Sequence, residues 1–182
     1  MQSTILTEQQ ASQLLTLCEF PATQKWKLIY QATRDGFSSD SFHSQCDIHP
    51  NTLIIIKSLN GYLFGGYTQA SWSGNKIGKI DPKALLFSLI NKENRPLIMK
   101  CKKEKNAIWC HPLCGPIFGS GYDILICSNS NTTDHNYFSY SNLGGSYEHP
   151  EYSLGSNDAK IFLAGSNRFQ TSEIEAFTID FD

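Results

Sequence analysis

The chain has 182 residues and a formal net charge of −2, with a sequence pI of about 6.2. That length suits one domain with a real hydrophobic core, and the charge balance excludes a protein drawn by bulk electrostatics onto a nucleic-acid backbone or an anionic membrane. Apolar residues make up 40% and charged residues 18%, a globular balance, and 11 Phe, 8 Tyr and 3 Trp tilt it towards strands.

The first ten residues, MQSTILTEQQ, lack a basic stretch and a long apolar stretch, so no secretory signal is expected. The longest aliphatic run, Leu53 to Ile56, is too short to cross a bilayer. The expectation is a cytoplasmic, monomeric chain with reduced cysteines at 18, 46, 101, 110, 114 and 127, several of them acting as small core hydrophobes. Without a signal, the Asn131-Thr-Thr133 sequon carries little weight.

Thr7-Glu-Gln-Gln10 has the form of a capping box, and Ala11, Leu14, Leu15 and Cys18 follow at helical spacing until Pro21. Trp26, Leu28 and Tyr30 alternate with polar residues and predict a strand buried on one face. Asp35-Gly36 reads as a turn. Ser38 or Ser39 can cap a short helix running to Cys46, with Phe42 and Cys46 on one side.

Thr52 to Ser58 reads as a central strand buried on both faces. Asn60-Gly61 predicts a type I′ hairpin, which makes Tyr62 to Tyr67 the returning strand. Gly65-Gly66 inside it implies a bulge or a close backbone approach. Ser71 to Lys79 reads as a loop, followed by a strand from Ala84 to Ile90. Leu97–Cys101 and Ala107–Trp109 are expected as two arms of a hairpin around a lysine loop. Further strands are predicted at Asp123–Cys127, Ile161–Ala164 and Glu173–Phe181, with a polar loop at Ser128–Thr133 and an irregular segment from Tyr137 to Pro150. Strands at this density with two helices argue for a β-sandwich with peripheral helices.

Candidate chemistry is sparse. Gly119-Ser-Gly121 is followed by a strand, so it lacks the helix N-terminus that a phosphate loop needs. Cys101, Cys110, His111 and Cys114 are suitable zinc ligand types, but their spacing is not that of a knuckle. A Cys110/Cys114 pair could instead oxidise. His43 and Cys46 stand one helical turn apart, yet Cys46 lies towards the helix C-terminus, where the dipole opposes a thiolate. Glu173 and Glu175 share a strand face, about 7 Å apart, with Phe177, Ile179 and Phe181. Carboxylates on an apolar face need partners. Loop amides, Arg34, Arg168, or a functional acidic pair are the alternatives.

One ordered set of fragments spans the chain: Trp26-Lys-Leu-Ile-Tyr30, Asp35-Gly-Phe37, Phe42-His43, Ile55-Ile-Lys-Ser58, Asn60 to Tyr67, Leu85 to Leu89, Gly115 to Gly121 with Asp123-Ile124, Phe162 to Ser166, and Glu173-Ile-Glu175. Taken together they resemble the TLDc family over about residues 22–180, with residues 1–21 as a helical lead-in packed on a 22–182 domain. The resemblance implies a two-sheet antiparallel β-sandwich flanked by short helices, mainly β overall, with no agreed catalytic residues and no cofactor or metal. It also implies oxidative-stress protection and binding to the vacuolar proton-pumping ATPase, with association to endolysosomal membranes through that partner. Asp35, Gly36, Phe42, His43, Gly65, Gly66, Gly119, Gly121, Gly165 and Ser166 match the family's structural positions, and Glu173 and Glu175 match its acidic motif. No LysM, GTPase-activating, BTB or EF-hand module is seen, so their functions are not implied.

The leading expectation is therefore a non-catalytic interaction module. One alternative is a thiol-based peroxide scavenger using Cys46, Cys110 or Cys114. Another is nucleic-acid binding through the Lys100–Lys105 loop, against which the overall acidity argues.

Overall fold

The computed structural model describes residues 1–102, 105–132 and 138–180. Its helices are α1 (Glu8–Leu17), α2 (Ala32–Asp35), α3 (Ser39–Cys46) and α4 (Asn157–Ile161). Its strands are β1 (Lys25–Gln31), β2 (Thr52–Ser58), β3 (Leu63–Thr68), β4 (Ile77–Ile80), β5 (Leu85–Ile90) and β6 (Leu97–Lys100). They continue with β7 (Asn106–Cys110), β8 (Cys114–Phe118), β9 (Ile124–Cys127), β10 (Ser139–Ser141), β11 (Arg168–Phe169) and β12 (Thr171–Asp180). Two antiparallel six-stranded sheets result, ordered β1-β12-β2-β3-β5-β6 and β11-β10-β9-β8-β7-β4. This is the expected β-sandwich with peripheral helices.

The first sheet is buried on both faces. Ile54 and Ile56 of β2 point into the inter-sheet core, while Leu53 and Ile55 point outward into a second cluster. That second cluster is roofed by Ile5, Leu6, Ala11, Leu14 and Cys18 of the N-terminal segment. α1 begins where the capping box predicts. Gln10 N donates to Thr7 Oγ1 at 3.2 Å, and Thr7 N donates to Gln10 Oε1 at 2.9 Å. Between the sheets, edge-to-face aromatic contacts run from Tyr30 through Phe42, Trp72 and Phe118 to Tyr147. The polar ends are satisfied inside: Trp72 Nε1 donates to Thr52 Oγ1 and Tyr147 Oη to the Ala107 carbonyl.

Several sequence expectations change. The β1 register shifts between Leu28 and Tyr30, so Trp26 and Leu28 face the outer cluster while Tyr30 turns into the inter-sheet core. The β2–β3 turn is not type I′, because Gly61 alone in it has a positive φ, of 85°. Gly61 N donates to Ser58 O and Ser58 N to Tyr62 O, which makes a longer loop with a glycine bulge. β6 and β7 lie in different sheets and form no hairpin; Lys103 and Glu104 of the connecting lysine loop lie outside the described residues. The expected loop at Ser71–Lys79 ends in strand β4, and β10 takes up Ser139–Ser141 of the segment expected to be irregular, which stays without a named strand or helix from 142 to 150. Thr133 and Tyr137, at the ends of their predicted segments, lie outside the described residues, as does Phe181.

Ile161 to Ala164 is not a strand. Ser156 caps α4 by accepting from Ala159 N, and Gly165 with φ 79° stops the turn that follows. The apolar run Phe162, Leu163 and Ala164 is buried on all sides, and such a run looks alike in a buried strand or a buried turn.

The Gly65-Gly66 pair answers a close approach. A Cβ on Gly65 would lie 2.0 Å from the Ile54 carbonyl oxygen, which is backbone and cannot retreat. One on Gly66 would lie 2.7 Å from Leu86 Cδ2 and Phe118 Cε1, which can shift. A graded response to alanine follows. Gly66→Ala should cost about 1–3 kcal/mol as an overpacking change, and Gly65→Ala more than that. Gly61→Ala, with nothing within 4 Å of the added methyl, should cost only its backbone strain, about 1–2 kcal/mol. Urea unfolding of the three variants checks the order, and equal costs at 61 and 65 would refute it.

Candidate functional site

β12 is an interior strand, paired with β1 on one side and β2 on the other. It carries Glu173 and Glu175 on its outer face, in line with Phe177 and Ile179 of the second cluster. Glu175 has 0% exposure and Glu173 8%, so neither charge is hydrated in the ordinary way. Each must be satisfied by protein donors.

Glu175 is held by the chain's first residues. Ser3 Oγ donates to Oε2 at 2.5 Å, while Thr4 N and Oγ1 donate to Oε1 at 2.7 and 2.8 Å. The Ser3 hydroxyl also accepts from Ile5 N and Leu6 N, which fixes its proton on the carboxylate side. Glu173 receives Thr33 N at 3.0 Å, the Thr33 hydroxyl, and its own strand's Ile174 N at 2.9 Å. Gln31 Nε2 reaches both Thr4 Oγ1 and Glu173 Oε2, which joins the two anchors. Neither candidate arginine takes part in an ion pair with them: Arg34 Nη2 pairs with Asp35 at 2.7 Å, and Arg168 lies over the Phe138 ring.

Two further acids do the same work and escaped the sequence reading. Asp123 Oδ1 accepts from Gly144 N, Gly145 N and Tyr147 N, and Oδ2 from Ser146 N at 2.8 Å. Burial pushes its carboxyl up from the ordinary aspartate value, against the downward pull of those amides. Gly119, at φ 78°, leaves it room, because a Cβ there would lie 2.1 Å from Asp123 Oδ2. The Gly119-Ser-Gly121 loop therefore shapes a cradle occupied by the chain's own carboxylate. Asp81 accepts from Thr68 Oγ1, Gln69 N and Lys83 N. For Asp123 the signal in the sequence is an acid directly after a glycine loop; Asp81 follows a strand that ends in Ile80, and its partners at Thr68 and Gln69 are not local.

The remaining motif residues sit at joints. Asp35 accepts from Gln31 N at 2.9 Å, and the Arg34 guanidinium beside it holds its carboxyl below the usual aspartate value. The Gly36 carbonyl takes the Tyr30 hydroxyl, and Phe42 is buried in the inter-sheet core. His43 Nδ1 lies 2.7 Å from Asp47 Oδ1, and Nε2 contacts the carbonyls of His111 and Cys114. It therefore ties α3 to the β7–β8 turn rather than facing Cys46. Gly121 packs against Gly145, and Gly165 against the Tyr62 ring. Ser166 Oγ donates to the Arg168 carbonyl.

Apart from the Cys114–Cys127 register pair, the thiols are dispersed. Cys46 and Cys110 belong to the inter-sheet core, Cys101 bridges to Tyr147, and Cys114 pairs in register with Cys127. The zinc quartet suggested by sequence is not assembled, and among the described residues no group of three or more metal-ligating side chains converges. Burial raises Cys18 to about 12 and Cys101 to about 11, and it raises Cys46, Cys110 and Cys114 as well. In the lysine loop, Lys102 Nζ is committed to the Gly144 carbonyl.

The TLDc domain family model matches residues 1–180. The chain is also similar to the MTOR-associated protein MEAK7 of Danio rerio, at 27% identity over 64 residues, which cover 35% of this chain and 14% of that protein. The Mus musculus protein of the same name is 27% identical over 66 residues, covering 36% of the chain and 14% of its own length. The matches thus span about a seventh of those relatives. A family match over nearly the whole chain, on a fold of two six-stranded sheets, makes this protein a member of the TLDc domain family.

Proposed function

We propose that the chain is a non-catalytic protein-interaction module that binds the vacuolar proton-pumping ATPase and, through it, contributes to oxidative-stress resistance. It acts from the cytoplasm and reaches endolysosomal membranes through its partner. The observation that carries this reading is the use made of the motif residues: the family's acids accept hydrogen bonds from the chain's own backbone and hydroxyls. That leaves the exterior as the working part. The names of the relatives, which record association with MTOR, support a protein partner. Among the described residues, no helix is long and apolar enough to cross a membrane.

The contact surface we assign is the edge strand β4 with the neighbouring β7–β8 turn, and its occupant is a strand of the pump. β4 ends its sheet, so it presents unpaired backbone groups to an incoming strand. Ile77, Ile80 and Leu113 are exposed there. Ile77 pairs with Cys110 at the end of β7, from which the turn bearing Leu113 leaves.

The purified chain should co-sediment with intact pump and alter ATP-driven acidification of pump-bearing vesicles. Ile77→Asp with Ile80→Asp should weaken both effects at least tenfold without lowering stability. A chain that neither binds nor alters pumping with ATP, with ADP or without nucleotide would end this reading.

Against the thiol-scavenger alternative, the non-catalytic reading makes its own forecast for the cysteines. With folded-state thiol pKa values raised, the native state favours the protonated form. That stabilisation is complete below the unfolded thiol value of about 8.5 and is lost as pH rises through about 11 for Cys101 and 12 for Cys18. Stability should therefore decline above about pH 9, and native-state alkylation should be slow at neutral pH. A thiol titrating below about 7 would favour the scavenger instead.

Glu175 is proposed as the anchor of the N-terminal segment. Glu175→Gln sets amide hydrogens against the Ser3 or Thr4 donors and should cost about 1–3 kcal/mol. Hydrogen exchange in residues 1–18 should then rise above that in β2. Unchanged protection there would mean the carboxylate is not what holds the segment.

A further inference from the structure

Antiparallel pairing sets Cys114 of β8 directly opposite Cys127 of β9. Residues so placed have Cα atoms about 4.5–5.5 Å apart, inside the roughly 4.4–6.8 Å that a disulfide spans. Cross-strand partners also point to the same face. Here that face is the outer one. Ile124 and Ile126, which flank and alternate with this position, belong to the inter-sheet core. Both cysteines instead line an open groove of about 670 Å³, together with Leu125 and Tyr140. Cys114 is partly exposed and Cys127 is buried, with its Sγ 3.4 Å from Ser139 Oγ.

Cys110 is a different case, although only four residues from Cys114. It has 1% exposure, belongs to the inter-sheet core, and its Sγ faces the Ser71 carbonyl. The oxidisable pair suggested by nearness in sequence is therefore not the pair that the fold brings into register.

We propose that Cys114 and Cys127 are a dithiol site that a hydroperoxide closes into a cross-strand disulfide. The partly exposed Cys114 reacts first. Its thiolate attacks one peroxide oxygen and the O–O bond breaks. Cys114 keeps that oxygen as a sulfenic acid, and the other oxygen leaves as hydroxide from hydrogen peroxide, or as alkoxide from an organic hydroperoxide, and takes up the thiol's proton to become water or an alcohol. The Cys127 sulfur then attacks the Cys114 sulfur. The S–S bond forms, the S–O bond breaks, and the sulfenic oxygen departs as water with the Cys127 proton. Two thiols are oxidised and one hydroperoxide is reduced. The step is stoichiometric and distinct from scavenging by turnover. Because burial keeps the Cys114 thiol above its ordinary value, the rate rises with pH. The Cys114 carbonyl accepts from His43 Nε2 at 3.0 Å, so the staple also fixes the strand to which α3 is tied. None of this depends on the identity of a protein partner.

The test is to treat the reduced full chain with hydrogen peroxide, block free thiols, and cleave before Asp123, which separates the two cysteines. The expected product is a pair of peptides joined through Cys114 and Cys127, lighter by two hydrogens and released by dithiothreitol. Its yield should grow severalfold from about pH 7 to about pH 9. In Cys127→Ser, dimedone should trap a sulfenic acid on Cys114 that the native chain does not accumulate. Three results would overturn the proposal: both thiols intact while other cysteines are oxidised, Cys114 joined to a different cysteine, or equal dimedone capture in native and variant chains. If the variant does not fold, peptide mapping of the native chain decides alone.

Discussion

A carboxylate with no access to water sits in the middle of an interior strand, and much of the first sheet's outer side is arranged around it. Glu175 is surrounded by apolar side chains of the second cluster, and its donors come from Ser3 and Thr4. An unpaired buried charge costs several kcal/mol, so the N-terminal segment is held down by an electrostatic requirement as well as by its own apolar residues. The two effects reinforce each other. Ile5 and Leu6, next to the donors, are buried with α1 over Leu53, Ile55 and Phe177. Removing the segment would expose a whole apolar sheet face, so α1 works as one layer of the fold.

The same device recurs. Asp123 and Asp81 each collect backbone amides from a connecting loop, and Glu173 takes that of Thr33 in the first turn of α2. His149 does likewise with a nitrogen: its Nδ1 accepts from Glu151 N and Tyr152 N. A sandwich whose strands are joined by irregular loops has many orphan amides near its surface, and each needs an acceptor. A carboxylate serves several at once. This accounts for acids within otherwise apolar motifs without assigning them chemistry.

What was legible in the sequence follows from how local each feature is. The α1 cap, the two-sided burial of β2 and the crowding at Gly65 rest on neighbours in sequence or on a simple period. The β6–β7 hairpin misled because chain proximity suggests pairing, whereas the chain there crosses from one sheet to the other. The Tyr30 face was hidden by a one-residue bulge, which reverses every later side chain without changing composition. Apart from Ile174 N, the donors to Glu173 and Glu175 lie more than a hundred residues away, so the need for donors is readable in the sequence but their identity is not. Asp123 is not legible as an anchor from its glycine loop alone, because its amide donors, from Gly144 to Tyr147, lie more than twenty residues away.

That last case bears on how function should be sought in this fold. Converging backbone amides and a glycine at positive φ also make anion sites for phosphate ligands. Here the geometry is present and already filled: the Asp123 oxygens occupy the position an external anion would take, at hydrogen-bond distance from Gly144, Gly145 and Ser146. A built-in anion converts a binding loop into a joint, and an exogenous anion would have to expel a buried side chain to enter. The motifs that identify the family are therefore also the ones least available to a ligand. Differences between members should be sought where the motifs stop, on the open edge of β4 and on the outer face of β8 and β9, where exposed Ile77 and partly exposed Cys114 are free of these structural duties.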